Sequence, residues 1–235
     1  MRYKKRIISY LFFYAAVFSV LTAAAYLANK AVTVISQADV SDQRHCIILD
    51  AGHGGEDGGA VSCTGVLESH INLEIVLRLQ DLFHLLGYDT KMIRTTDTSV
   101  HIQGETIAAR KASDLKERVR IINEAENALL ISIHQNHFPD GRYSGAQVFY
   151  VSNEQSKTLA SQLQTSFVQT INTGSNRKVK PCSGVYLMEH VQCTAVLIEC
   201  GFLSNPLEEA KLRSENYQKA ICCVITSSVS NYLDS

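Results

Sequence analysis

Apolar positions along this chain recur with two periods, and the switches between them outline the fold. Ile47–Ile48–Leu49 is a short unbroken apolar run, as expected of a buried strand. It stops in Asp50–Ala51–Gly52–His53–Gly54–Gly55, where glycines let the backbone turn tightly and one imidazole project. From Leu67 the apolar residues Ile71, Ile75, Val76, Leu79, Leu82, Phe83 and Leu86 follow at helical spacing, and Gly87 is placed to close that helix. Tyr88 to Ile93 predicts the next strand. Thr95 to Ser113 is polar and mixed, which predicts a long loop acting as a substrate-covering flap. Leu115 to Ala125 reads as an amphipathic helix capped by Ser113 or Asp114. Strands follow over Ala128–Ile133, Ala146–Tyr150 and Thr194–Ile198. A helix spans Glu154–Ile171, and a helical tail runs from Pro206 to Leu233. This order predicts a single α/β domain with a mixed, mainly parallel central sheet flanked by helices on both faces.

The first residues break the pattern. Arg2, Lys4, Lys5 and Arg6 precede an uncharged stretch from Ile7 to Ala28. A membrane-spanning helix needs roughly 20 apolar residues, a signal-peptide core only about 7–15. The stretch therefore predicts an N-terminal transmembrane helix with its basic flank in the cytoplasm and the rest of the chain outside. Ala23–Ala24–Ala25 supplies a small-residue cleavage site for the alternative of a cleaved signal. The expected organisation is a membrane anchor or signal segment over 1–29, a polar linker over 30–44 and a catalytic domain over 45–235.

Composition adds two limits. With 46% hydrophobic residues in 235, the chain can bury one ordinary core. A net charge of −1 gives no electrostatic reason to expect nucleic acid as a partner. Seven cysteines without a C-x-x-C pair argue against a structural metal cluster. Cys46, Cys200, Cys222 and Cys223 lie in apolar stretches, where a reduced thiol packs as a small hydrophobe.

The chemistry gathers at element ends, where open α/β sheets bind ligands. His53 follows the first strand, Glu68 falls in the first turn of the following helix, and His134 ends the third strand with Asn136 just beyond. Two histidines and a glutamate form the ligand set of catalytic zinc sites that keep one position open for water. Glu199 follows four apolar residues of the last strand. A carboxylate there is costly unless it works, and apolar neighbours would raise its pKa to suit a general base. Arg94, Asn136 and Lys180, the last within the basic Thr173–Ser183 stretch, are candidate substrate contacts. A thiol hydrolase built on Cys200 or Cys63 is a rival, weakened because the charge of Glu199 would raise its neighbour's thiol pKa. A zinc peptidase and a non-catalytic binding domain are the other rivals.

Asp50-Ala-Gly-His53-Gly-Gly, Glu68 opening a helix, Ser132-Ile-His134-Gln-Asn136 and Ile198-Glu199-Cys-Gly-Phe-Leu-Ser-Asn205 together resemble the zinc-dependent N-acetylmuramoyl-L-alanine amidases of the amidase-3 family. The resemblance runs in order from about Ile47 to the C-terminus. It implies Zn2+ on His53, Glu68 and His134, with Glu199 as the catalytic glutamate. It also implies hydrolysis of the amide between N-acetylmuramic acid and the L-alanine of the peptidoglycan stem peptide. One anchor and one catalytic domain without wall-binding repeats is similar to the sporulation amidases of that family. This implies a place in forming spore-cortex muramic-δ-lactam, between the mother-cell and forespore membranes. Some members answer to activator proteins, which implies a partner that tightens the three-ligand site. Ala51 stands where proline is common in the first motif, Gln135 fills the variable position, and Cys200 replaces another small residue.

Overall fold

Strict alternation along three central strands sends their side chains to two different cores. In β1 (Cys46–Ala51), Ile47, Leu49 and Ala51 face one side and Ile48 the other. In β3 (Ala128–Asn136), Leu129, Ile131 and Ile133 join the first core and Leu130 the second. In β6 (Thr194–Phe202), Val196, Ile198 and Cys200 oppose Ala195 and Leu197. A sheet apolar on both faces must be covered on both, and it is. Each fully buried Leu, Ile or Phe contributes roughly 1.5–3 kcal/mol of transfer free energy.

The computed structural model describes residues 45–235 and, upstream, residues 18–20, 22–24 and 26, which are helical. Most of the predicted anchor over Ile7–Ala28, and the linker up to residue 44, lie outside the described residues. Among the described residues no helix is long and apolar enough to cross a membrane.

The remaining elements are β2 (Thr90–Met92), β4 (Gln147–Tyr150) and β5 (Lys180–Pro181), with helices α1 (Glu68–Leu85), α2 (Ile107–Asn123), α3 (Glu154–Thr170), α4 (Tyr186–His190), α5 (Pro206–Leu212) and α6 (Glu215–Leu233). The sheet order is β2-β1-β3-β6-β4-β5. The first four strands are parallel, β4 runs antiparallel to β6, and β5 is parallel to β4, giving the mixed sheet expected. Helices α1, α3 and α6 bury Phe83, Phe167, Ile221 and Ile225 against one face. Helices α2 and α4 bury Ile122, Leu187 and Met188 against the other.

Gly87 closes α1 as expected, at φ +82° with its N–H donated to His84 O. The long polar segment differs from the expectation. Helix α2 begins at Ile107, capped by the Thr106 side chain accepting from Ala109 N, so the irregular stretch ends before Thr106 and Ser113 and Asp114 lie inside the helix. Those two side chains instead tie the preceding loop down. Asp114 accepts the Val100 N–H at 2.7 Å, and Ser113 accepts that of Ile102 at 3.2 Å.

Candidate active site

The parallel strands β1, β3 and β6 end at one edge of the sheet, and the site is assembled there. His53, two residues beyond β1, sits at φ +62°, a left-handed conformation that costs a non-glycine residue on the order of 1–3 kcal/mol. One bond from helix α2 and one within the loop hold it. Arg118 Nη2 donates to His53 O at 2.8 Å, and Gly54 N–H donates to Asp57 O at 2.7 Å. Asp57 Oδ2 lies 2.9 Å from His53 Nδ1, which leaves Nε2 facing Glu68 Oε2 at 3.3 Å.

Glu68, in the first turn of α1, is the hub. Its Oε1 is 3.0 Å from His134 Nδ1 and accepts the Gln135 N–H at 3.0 Å and Asn72 Nδ2 at 3.2 Å. Its Oε2 accepts the Ala60 N–H at 2.9 Å. Burial alone would raise this carboxyl, but bonds and charge from His134 and His53 hold it far below the usual range. Burial likewise opposes a proton on His53, yet Glu68 and Asp57 outweigh it and raise the imidazole above its ordinary value. The histidine rings meet edge to face, with centroids 5.0 Å apart.

Two glycines make room for this packing. A methyl group on Gly52 would overlap the His134 ring. One on Gly59 would lie 2.6 Å from Glu68 Oε2 and 2.7 Å from the His53 ring, and Gly59 also needs φ +71°.

One donor atom from each of His53, Glu68 and His134 lies within 4.8 Å of the others. Glu68 Oε1 lies 3.0 Å from His134 Nδ1 and Glu68 Oε2 lies 3.3 Å from His53 Nε2, close to the roughly 3.3 Å between neighbouring donors around one tetrahedral zinc. Two imidazoles and a carboxylate are a donor set that zinc accepts, so the residues present fit such an ion.

Glu199 stands opposite His134 in the register of β3 and β6. Just beyond, His134 to Asn136 on β3 opposes Glu199 to Phe202 on β6, so β6 carries an extra residue, a bulge of the kind often found beside active sites. Glu199 Oε2 is shut from solvent and has no hydrogen-bond partner among the described residues. Burial pushes this carboxyl up to about 7, with Glu68 adding to the rise and His134 and His53 opposing it.

The predicted substrate contacts are placed differently from one another. Asn136 ends β3, half-buried, and its carbonyl accepts the Leu203 N–H at 2.8 Å. Arg94 is buried, its guanidinium donating to the carbonyls of Ala51 (2.8 Å) and Gly52 (3.1 Å) at the turn after β1, of Ser69 (2.8 Å) in α1 and of Thr96 (3.0 Å). Lys180 lies on the edge strand β5, with β4 between it and β6. Sequence reasoning missed Arg118, which clamps the same turn. It donates to Ala51 O at 3.1 Å, to Asp114 Oδ2 at 2.6 Å and to Asp50 Oδ1, while Ser132 Oγ donates to Asp50 Oδ2 at 2.7 Å. The only hint was Asp114 and Arg118 at i,i+4 spacing.

The thiol alternative loses its first candidate. Cys200 is fully buried and burial raises its thiol well above the ordinary value. All seven cysteines are free, with Cys63 and Cys223 exposed.

Comparisons with known proteins give the chain's family and fold. The family described as N-acetylmuramoyl-L-alanine amidase matches residues 47–231. A germination-specific N-acetylmuramoyl-L-alanine amidase of Bacillus subtilis (strain 168) is 38% identical over 188 residues, 79% of this chain and 78% of its own length. The CwlD amidase from Clostridioides difficile, solved in complex with the GerS lipoprotein, superposes with a TM-score of 0.78 at 36% identity, over 81% of this chain and 98% of that one. An N-acetylmuramoyl-L-alanine amidase from Clostridium difficile 630 superposes with a TM-score of 0.71 at 29% identity, over 83% and 99%. The chain belongs to the N-acetylmuramoyl-L-alanine amidase family.

Proposed function

We propose that this amidase is zinc-dependent and strips stem peptides from N-acetylmuramic acid during sporulation, on the way to muramic-δ-lactam in the spore cortex. The observation that carries the catalytic part is the buried, unpartnered Glu199 Oε2 opposite His134. A carboxylate kept dry and unpaired beside two imidazoles and a carboxylate is poised for proton transfer.

His53, Glu68 and His134 would hold the zinc. When bound, zinc polarises the scissile carbonyl and makes water acidic enough to attack near neutral pH. Glu199 takes a proton from the attacking water and delivers it to the departing nitrogen of L-alanine. One positioned carboxyl can do both, accepting the proton as a base and returning it as an acid. Asp57 fixes the His53 tautomer, and Arg94 and Arg118 fix the turn that carries His53.

The cortex role draws support from likeness to the germination-specific amidase and to CwlD. The uncharged Ile7–Ala28 stretch behind four basic residues supports an N-terminal membrane anchor that holds the catalytic domain between the mother-cell and forespore membranes. CwlD was solved in complex with a lipoprotein, which supports a protein partner for this chain; its role here would be to steady the metal site, through the linkage of metal binding to folding.

The full chain, supplied with zinc and purified peptidoglycan, is expected to release stem peptides with free L-alanine amino termini, read by mass spectrometry. Chelator and Glu199→Gln should each abolish the release. Cuts within the peptides would make the protein a peptidase instead. In spores of a deletion strain the cortex should lack muramic-δ-lactam, and normal lactam would remove the sporulation role.

A further inference from the structure

The same edge of the sheet carries a second feature, beyond the ligand cluster. The chain leaves β3 at Asn136 and crosses to β4 through a loop that displays Phe138 and Tyr143, each 48% exposed. Their rings meet edge to face at 5.0 Å. Tyr143 in turn stacks on Phe202 at 6.0 Å and 27°, and the Arg177 guanidinium lies 4.5 Å over the Phe202 ring. Phe202 is the register partner of Asn136, two residues beyond His134. The aromatic tier therefore continues directly from the strands that present His134 and Glu199.

The tier is held rigidly from behind. Phe138 N–H donates to Ser204 Oγ at 3.1 Å and Asn205 Nδ2 donates to Tyr143 O at 3.1 Å. Arg177 donates to Ser144 O at 2.7 Å and to Gln147 Oε1 at 2.8 Å. Gly141 passes so close that an added methyl would lie 2.9 Å from Ser204 O. Beside Tyr143 opens a groove of about 690 Å³, lined also by Arg142, Asn172, Arg177 and Lys211. Two exposed rings cost free energy in water unless something covers them.

We propose that Phe138 and Tyr143 form the platform on which a sugar ring of the peptidoglycan glycan strand stacks, fixing the strand so that its lactyl amide reaches Glu199. The occupant follows from size and chemistry. Two rings offer far less than the roughly 800 Å² per partner that a stable protein interface buries. They do match one pyranose, whose axial C–H bonds form an apolar face while its hydroxyls and acetamido group turn to the polar rim. An amphipathic ligand of this kind is held by aromatic faces with a few polar groups beside them. The platform rests on the reading that peptidoglycan is the substrate, and it adds which part of the substrate these two residues hold.

The test uses the full chain loaded with zinc and measures binding to glycan strands from which stem peptides have been removed, and separately to free stem peptides. Phe138→Ala and Tyr143→Ala should each weaken glycan binding about five- to tenfold, the effect of losing one aromatic stack. Tyr143→Phe should stay within about twofold of wild type, since the ring is kept. Stem-peptide binding and bound zinc should not change, which separates a lost platform from a lost fold. On polymeric peptidoglycan both Ala variants should raise KM with kcat retained. Unchanged glycan binding in the Phe138→Ala/Tyr143→Ala double variant overturns the platform, as does a loss confined to stem peptides. Platform-dependent glycan binding without release of stem peptides would keep the platform and overturn the catalytic reading.

Discussion

Glu199 and His134 occupy paired positions on the neighbouring parallel strands β6 and β3, at the same level of the sheet. One strand thereby supplies a proposed metal ligand and the next supplies the proposed proton carrier, with their separation fixed by the ladder rather than by a loop. A one-residue slip of β6 against β3 would turn Glu199 to the opposite face and leave His134 where it is. That geometry sets the spacing of these two residues before any ligand arrives.

Replacing Glu199 by Gln keeps shape and removes the proton carrier. Turnover of peptidoglycan should fall by roughly 10²–10⁴-fold while bound zinc stays unchanged. Steady-state rates beside metal analysis check this. A variant with near-normal kcat would transfer the proton role elsewhere.

The same carboxyl makes a stability prediction for the metal-free chain. Because burial raises its folded pKa to about 7, the folded state holds this proton more tightly than the unfolded chain, and ionisation costs stability. The cost is absent below the unfolded value of about 4.3, grows as pH rises toward about 7, and is constant above. Thermal unfolding in chelator should show Glu199→Gln gaining on wild type between about pH 4 and about pH 8. A gap independent of pH would contradict the shift.

Asp57 sets which nitrogen of His53 faces the site. Asp57→Asn should weaken zinc binding about 10–100-fold, as loss of a carboxylate behind a ligating histidine does elsewhere. Lys111, whose Nζ also lies 2.9 Å from Asp57 but is half-exposed, is the control. Lys111→Ala should leave zinc affinity close to wild type in a competition titration.

Arg118 and Arg120 lie on the same helix and are expected to behave oppositely. Arg118 is buried between Asp50 and Asp114, so Arg118→Leu strands two buried carboxylates and should cost about 3–5 kcal/mol. Arg120 is half-exposed where it pairs with Glu117 and the exposed Glu124, and Arg120→Ala should lower the denaturation midpoint far less than Arg118→Leu.

Thiol reagents separate the zinc reading from cysteine chemistry. Cys63 and Cys223 are exposed and should alkylate in the folded enzyme without loss of activity. Cys200 and Cys222 are buried, with thiols raised by burial, and should react only after unfolding. Inactivation that tracks folded-state alkylation would count against this account.

The sequence made some of this legible and hid the rest, for physical reasons. His53, Glu68, His134 and Glu199 stood out because each is polar at the end of an apolar run, where the element boundary itself signals a sheet edge. The start of α2 was hidden. The stretch around Ile107 to Ser113 has no apolar face, and its cap Thr106 is one polar residue among many. Arg94 and Arg118 could not be assigned from spacing. Their partners are backbone carbonyls and carboxylates of other elements, brought within reach only by the fold. The five-residue α4 was missed because one turn and a half shows no period.

The most direct test is diffraction at the zinc absorption edge from crystals of the zinc-loaded protein. The account predicts one anomalous peak within about 2.0–2.2 Å of a nitrogen of His53, an oxygen of Glu68 and a nitrogen of His134. No peak among these three residues at full zinc loading, or a stronger peak on other ligands, would contradict it.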